Sequence, residues 1–143
     1  MMIAGWREYV DLPEFDVFRI KAKLDTGART SALHVHQLAI DLEREVPLAH
    51  FLIKHERATR SLTLPVIDQR WIKDSGGHRQ HRPVIQTLLR LGDQQWPIEI
   101  TLTNRSGMRH GLLLGRSAMQ GWLQVDPAQT FLLSPKTSRQ VLG

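Results

Sequence analysis

The sequence predicts an all-β domain, a closed barrel of short strands carrying one short helix. Three observations point there. Apolar and polar residues alternate with period two in segment after segment, the spacing of a strand with one face in a core and one in water. Gly, Pro and Asp interrupt these runs so often that roughly ten short strands result. One short helical segment, late in the chain, stands against them, which argues a barrel rather than βαβ units. At 143 residues the chain has the size of one domain with a real core. That core runs from about residue 5 to about residue 133, and 134–143 reads as a tail.

Taken in order, Trp6 to Leu12 sets Trp6, Glu8 and Val10 against Arg7, Tyr9 and Asp11, and stops at Pro13. Val17 to Leu24 is the second strand, with Phe18, Ile20, Ala22 and Leu24 towards the core and Arg19, Lys21 and Lys23 towards water. It delivers Asp25 to its end, where Thr26 and Gly27 break the pattern, because glycine allows a tight turn and a close backbone approach. Ala32 to Leu42 is one extended stretch, with His34 and His36 on the face opposite Val35. Ala49 to Lys54 and Ser61 to Ile67 are two further strands. Arg70 to Arg82 reads as a hairpin with Gly76 and Gly77 at a basic tip and Trp71 on its stem. Val84 to Leu91 and Trp96 to Leu102 flank a Gly92-Asp93 turn, and Asn104 to His110 is a basic loop. Leu112 to Gly115 is a buried strand and Arg116 to Gln120 the short helix, closed by Gly121. Trp122 to Val125 and Thr130 to Leu133 are the last two strands.

Asp25-Thr26-Gly27-Ala28 at the end of an apolar strand resembles the active-site loop of retropepsin-like aspartic proteases. Leu112-Leu113-Leu114-Gly115-Arg116-Ser117-Ala118-Met119 resembles that family's other hallmark, an apolar pair followed by glycine and a short helix behind the aspartate loop. With Gly5-Trp6-Arg7-Glu8, Lys21 to Leu33, Asp74-Ser75-Gly76-Gly77-His78-Arg79 and Thr101 to Arg105, the chain is similar to a bacterial, RimB-like family labelled ATP-dependent zinc proteases. That family is associated with RimK-type ligases, which add glutamate tails to a ribosomal protein. The resemblance spans about Gly5 to Leu133.

The resemblance implies a retropepsin-like barrel and an aspartic endopeptidase. Such chemistry takes two carboxylates sharing one proton, one activating water and the other polarising the carbonyl. One chain offers one Asp-Thr-Gly, so the implied catalytic set is Asp25, Thr26 and Gly27 from each of two copies across a two-fold axis. In a monomer the second carboxylate would have to come from Asp68, Asp74 or Asp126. Leu113, Leu114 and Gly115 support the site. Ala28, Arg29, Arg116, Lys23, Gly76, Gly77 and Arg79 are the expected substrate-binding residues. The hairpin is a candidate flap with Arg79 and Arg82 reaching in. A cationic rim suits acidic or glutamate-tailed segments, since Arg grips carboxylates in a two-pronged fork. Arg29, Arg116 and Lys23 are equally readable as ordinary solvated charges, or Arg29 and Arg116 as members of internal ion pairs.

Lys and Arg number 19 against 14 Asp and Glu, a formal net charge of +5. The balance favours acidic partners without choosing among them. No dedicated nucleic-acid motif is present, and one Tyr and four Phe offer few stacking platforms. There is no cysteine, no apolar run long enough to span a bilayer and no signal peptide at the start, so a cytoplasmic location is expected. His34, His36, His78 and His81 could be imagined as a zinc site, but metalloprotease spacing is missing, and there is no Gly-x-x-x-x-Gly-Lys loop for ATP. No cofactor is therefore expected, although the family label implies two. The competing readings are a non-catalytic binding module that partners a glutamate ligase or a ribosomal protein and, more distantly, a zinc hydrolase.

Overall fold

The computed structural model of the protein describes residues 1–73, 76–104 and 110–134. Its strands are β1 (Met2–Gly5), β2 (Arg7–Leu12), β3 (Val17–Leu24), β4 (Ser31–His34), β5 (His36–Asp41) and β6 (Leu48–His55). They continue with β7 (Ala58–Pro65), β8 (Asp68–Lys73), β9 (Arg79–Leu91), β10 (Gln94–Thr103), β11 (Leu112–Leu114) and β12 (Leu123–Asp126). The one α-helix among the described residues is α1 (Arg116–Met119), and Pro13–Phe15 forms a single 3₁₀ turn.

The all-β expectation is met. Strands run in the order β10-β4-β11-β3-β2-β9, and β9 pairs again with β10, which closes a six-stranded barrel and removes its edges. Strand β9 is long enough to leave the barrel. Its first residues pair with β8, Trp71 opposite His81 and Lys73 opposite Arg79, and make the hairpin expected from the glycine-rich tip. Strands β5, β6 and β7 form a separate sheet, and β1 lies parallel to β12. The core is mainly aliphatic, with Leu33, Ile85, Ile100, Leu102, Leu112 and Leu114 fully buried and Phe15, Phe51 and Trp96 among them. Each such aliphatic side chain contributes about 2 kcal/mol of transfer free energy.

Three local readings are corrected. In β3 the parity changes, so that Val17 is buried and Phe18 is 40% exposed, while Ile20, Ala22 and Leu24 keep the core face. The cause is a bulge: Arg19 has a left-handed φ of 57°, its N–H donates to Asp11 Oδ1 at 2.8 Å, and the β2 register slips between Val10 and Leu12. The stretch from Ala32 to Leu42 is two strands, since β4 pairs with β10 and β11 while β5 pairs with β6, with Val35 bonded to Thr103 between them. Thr130 to Leu133 forms no strand. Instead the N–H groups of Leu132, Leu133 and Ser134 converge on the carboxylate of Glu8, which is fully buried and also accepts Gly5 N–H and the Ser134 hydroxyl.

That clasp explains the Gly5-Trp6-Arg7-Glu8 stretch. A side chain on Gly5 would lie 2.6 Å from Gln129 O, so glycine lets the start of the chain cross its end. Trp6 N–H donates to Gln129 O, and Trp6 O accepts Leu24 N–H, which ties the crossing to the strand that carries Asp25.

Candidate active site

Strand β3 carries the aspartate out of the barrel. Leu112, Leu113 and Leu114 pair in parallel with Ala22, Lys23 and Leu24, and Asp25 N–H then donates to Leu114 O at 2.9 Å. The backbone of Asp25 is thus held by β11. Its side chain is held by its own turn through Gly27 N–H on Oδ1 at 2.9 Å, and Ala28 N–H closes that turn on the Asp25 backbone carbonyl at 3.1 Å. A side chain at Gly27 would stand 3.2 Å from Oδ1, tighter than normal contact, so glycine leaves room for the carboxylate. Asp25 is half-buried and Thr26 and Gly27 are exposed, open to water and to a second molecule.

The second hallmark packs directly behind this turn. Arg116 N–H donates to Ala28 O at 2.8 Å, Ser117 N–H and its hydroxyl both donate to Arg29 O, and Gly115 N–H donates to Ser31 Oγ at 3.0 Å. The Arg116 guanidinium reaches Thr26 O at 3.0 Å, so this cation is a strut of the aspartate turn as well as an exposed charge. Leu112 and Leu114 are fully buried and Leu113 half-buried, which puts the pair of anchors one residue out of step with the Leu113-Leu114 expectation. Alternation explains the offset, since residues two apart share a strand face.

A cleft of about 680 Å³ lies between β8 and the residues that follow the aspartate turn. Arg29, Thr30 and Ser117 form one wall; Trp71, Ile72 and Lys73 belong to the other. Arg70, Asp68 and Glu99 complete it, with Arg70 Nη2 2.6 Å from Glu99 and Nε 3.3 Å from Asp68. Burial opposes the charge on Arg70, yet its bonds to Glu99 and Asp68 win and raise its pKa.

The flap residues are arranged differently from the expectation. Arg79 lies over the Trp71 ring at 5.2 Å, Trp71 also contacts His81 at 5.0 Å, and Arg82 is buried with its Nε on Gln80 at 3.0 Å. Gly77 has a φ of +84°, which suits the tip, and Gly76 is exposed beside it. Lys23 is exposed on β3. Asp74 and Ser75, and Arg105 to Arg109 of the basic loop, lie outside the described residues.

Of the carboxylates that might serve Asp25 within one chain, Asp68 is engaged by Arg70, Asp126 accepts its own turn's Ala128 N–H, and Asp74 is outside the described residues. His34 and His36 contact each other with ring centroids 4.7 Å apart, whereas His81 sits on Trp71 in the hairpin. Among the described residues no three His, Asp or Glu side chains gather as a metal-ligand set. The described residues therefore do not fit the zinc that the family label implies.

Sequence reasoning missed Ser31, Ser117, Arg70, Lys73 and Glu99. Ser31 is buried, takes the Gly115 N–H on its hydroxyl, and offers its carbonyl to Thr101. Arg70 and Glu99 are 29 residues apart and meet only through the fold.

Comparison with known proteins agrees with the retropepsin-like barrel. A family model described as RimB-like, "Retropepsin-like aspartic endopeptidase RimB", matches residues 3–136. A Shewanella pealeana protein named "Probable alpha-L-glutamate ligase" is 36% identical over 97% of this chain. A protein of the same name from Desulfotalea psychrophila is 39% identical over 99% of it. The chain spans only 31% of the length of either relative. A crystal structure of a Legionella pneumophila protein of unknown function superposes with a TM-score of 0.77 at 29% identity, covering 93% of this chain and 98% of that one.

Proposed function

The chain belongs to the RimB-like family of retropepsin-like aspartic endopeptidases, and on that premise we propose that it is a peptide hydrolase, acting as a homodimer on acidic or glutamate-tailed protein segments. The carrying observation is the braced, solvent-open Asp25 turn, held by Leu114 on one side and by the Gly115-Arg116-Ser117 turn behind it.

In this reading two Asp25 carboxylates from symmetry-related copies share one proton. The ionised one takes a proton from water as the water attacks the scissile carbonyl carbon; the protonated one donates to the carbonyl oxygen. The tetrahedral diol collapses with proton transfer to the leaving nitrogen, giving an acid and an amine. Rigid donors around the turn hold the carboxylates in place, so little reorganisation accompanies the reaction. A hollow of about 260 Å³, lined by Met119, Leu123 and Val125 together with Thr26, Arg116 and Gln120, offers a mate both apolar and polar contacts beside the turn. The partner reading follows from the relatives: proteins named as glutamate ligases contain a region like this chain. A hydrolase that trims what such a ligase adds, in the cytoplasm and without a bound cofactor, fits that pairing.

The test is cleavage of a peptide ending in a glutamate run. Asp25→Asn keeps the shape and removes the shared proton, so turnover falls by at least about 10³-fold while peptide binding stays within about twofold. Residual turnover near the starting level overturns the aspartic mechanism. The second reading, a binding module for a ligase or a ribosomal protein, is favoured by the same ligase relatives. It predicts tight peptide or partner binding with no turnover by the unaltered protein.

A further inference from the structure

Arg70 is a carboxylate receptor that is already filled from within the chain. Its guanidinium, about one-third exposed (32%), sits in the wall of the open cleft on Glu99 and Asp68, whose side chains are 46% and 55% exposed. Ion pairs as exposed as these are held weakly and exchange readily. Arg29 and Lys73 line the same cleft and are themselves exposed.

The consequence is a filter. A single incoming carboxylate gains nothing by replacing Glu99 on Arg70 one for one, and it is repelled by Asp68 and Glu99 until it does so. A run of carboxylates on one chain differs, because engagement of Arg29 or Lys73 by one residue raises the effective concentration of the next beside Arg70. The cleft, at about 680 Å³, has room for several residues.

We propose that this cleft is a subsite for runs of acidic residues, with Arg70 as the specificity-determining receptor, Glu99 as an internal competitor that a run displaces, and Arg29 and Lys73 as flanking cations. The identity of the ligand rests on the hydrolase reading given above; the selectivity for length comes from the Arg70 pairing together with the flanking Arg29 and Lys73.

The full chain carrying Asp25→Asn is titrated with labelled peptides ending in a short or a long glutamate run, and with alanine counterparts of equal length. The long run binds more tightly than the short one. Adding Glu99→Gln tightens the short run about fivefold, tightens the long run less and leaves the alanine peptides unchanged. Adding Arg70→Lys, which keeps the charge but loses the fork, removes the preference for the long run. If Glu99→Gln weakens every peptide alike, Glu99 is merely a strap for β8 and the subsite is overturned. Survival of the length preference in Arg70→Lys, or no glutamate-dependent binding at all, overturns it too. Turnover by the protein with Asp25 intact is read separately. Absent turnover with the expected binding pattern removes the hydrolase and keeps the subsite, whereas normal turnover with no response to either variant does the reverse.

Discussion

His34 shows how one side chain ties this fold to pH. Burial and the neighbouring His36 push its pKa below the ordinary 6.5, and a bond with the Thr103 backbone only partly offsets them. A histidine depressed in the folded state is neutral in both states well above pH 6.5, so its contribution to stability is complete there. As the pH falls below that value the unfolded chain takes up the proton first, and stability is lost. Denaturant unfolding measured between pH 7.5 and pH 5 should therefore show a decline, and His34→Gln should flatten it. An unchanged slope in His34→Gln would place the pH dependence elsewhere.

At the scale of elements, the junction between β11 and α1 decides whether the aspartate turn keeps its form. Gly115 has an ordinary extended φ of −92°, so it is required by space and not by backbone conformation. A Cβ there would lie 2.6 Å from Thr30 O and 2.8 Å from the carbonyl carbon of Arg29, both backbone atoms that cannot swing away. Gly115→Ala must push the turn forward, with a loss of about 2 kcal/mol of stability. Turnover should fall further than stability does, since displacing a reacting group by about 1 Å costs about 10²-fold in rate. Parallel measurement of Tm and kcat checks this; a variant as active as the unaltered protein would mean that the junction does not position Asp25.

Two features act on the whole molecule. Glu8 draws Gly5 and residues 132–134 together, so the two ends of the described chain are clasped through one buried carboxylate. Glu8→Ala strands several buried N–H groups and should lower the unfolding free energy by about 3 kcal/mol, measured by urea denaturation. A loss under about 0.5 kcal/mol would mean that water replaces the clasp. The second is the two-fold pairing that the proposed chemistry requires. Thr26 is exposed at the tip that would meet its copy, so Thr26→Lys sets like charges against each other at the two-fold axis. Sedimentation should show monomers and turnover should vanish, with the thermal transition of the chain nearly unchanged. Persistent dimers with full turnover would move the interface away from this tip.

Much of this was legible beforehand because it is local. Period-two alternation placed β2, β3, β6, β7, β9 and β10, glycine marked the hairpins, and the two hallmark stretches named the turn and its support. What alternation cannot register is a residue that leaves the regular backbone, so the Arg19 bulge turned Phe18 outward unseen. Nor does it register partners far apart in the chain. Glu8 with Ser134, Ser31 with Gly115, and Arg70 with Glu99 are separated by 126, 84 and 29 residues. Each pair is brought within hydrogen-bonding distance by the packing of distant segments against one another, which spacing along a chain does not encode. Secondary structure and the place of the Asp25 turn follow from neighbours in sequence, whereas the cleft and its charge pairing follow from neighbours in space.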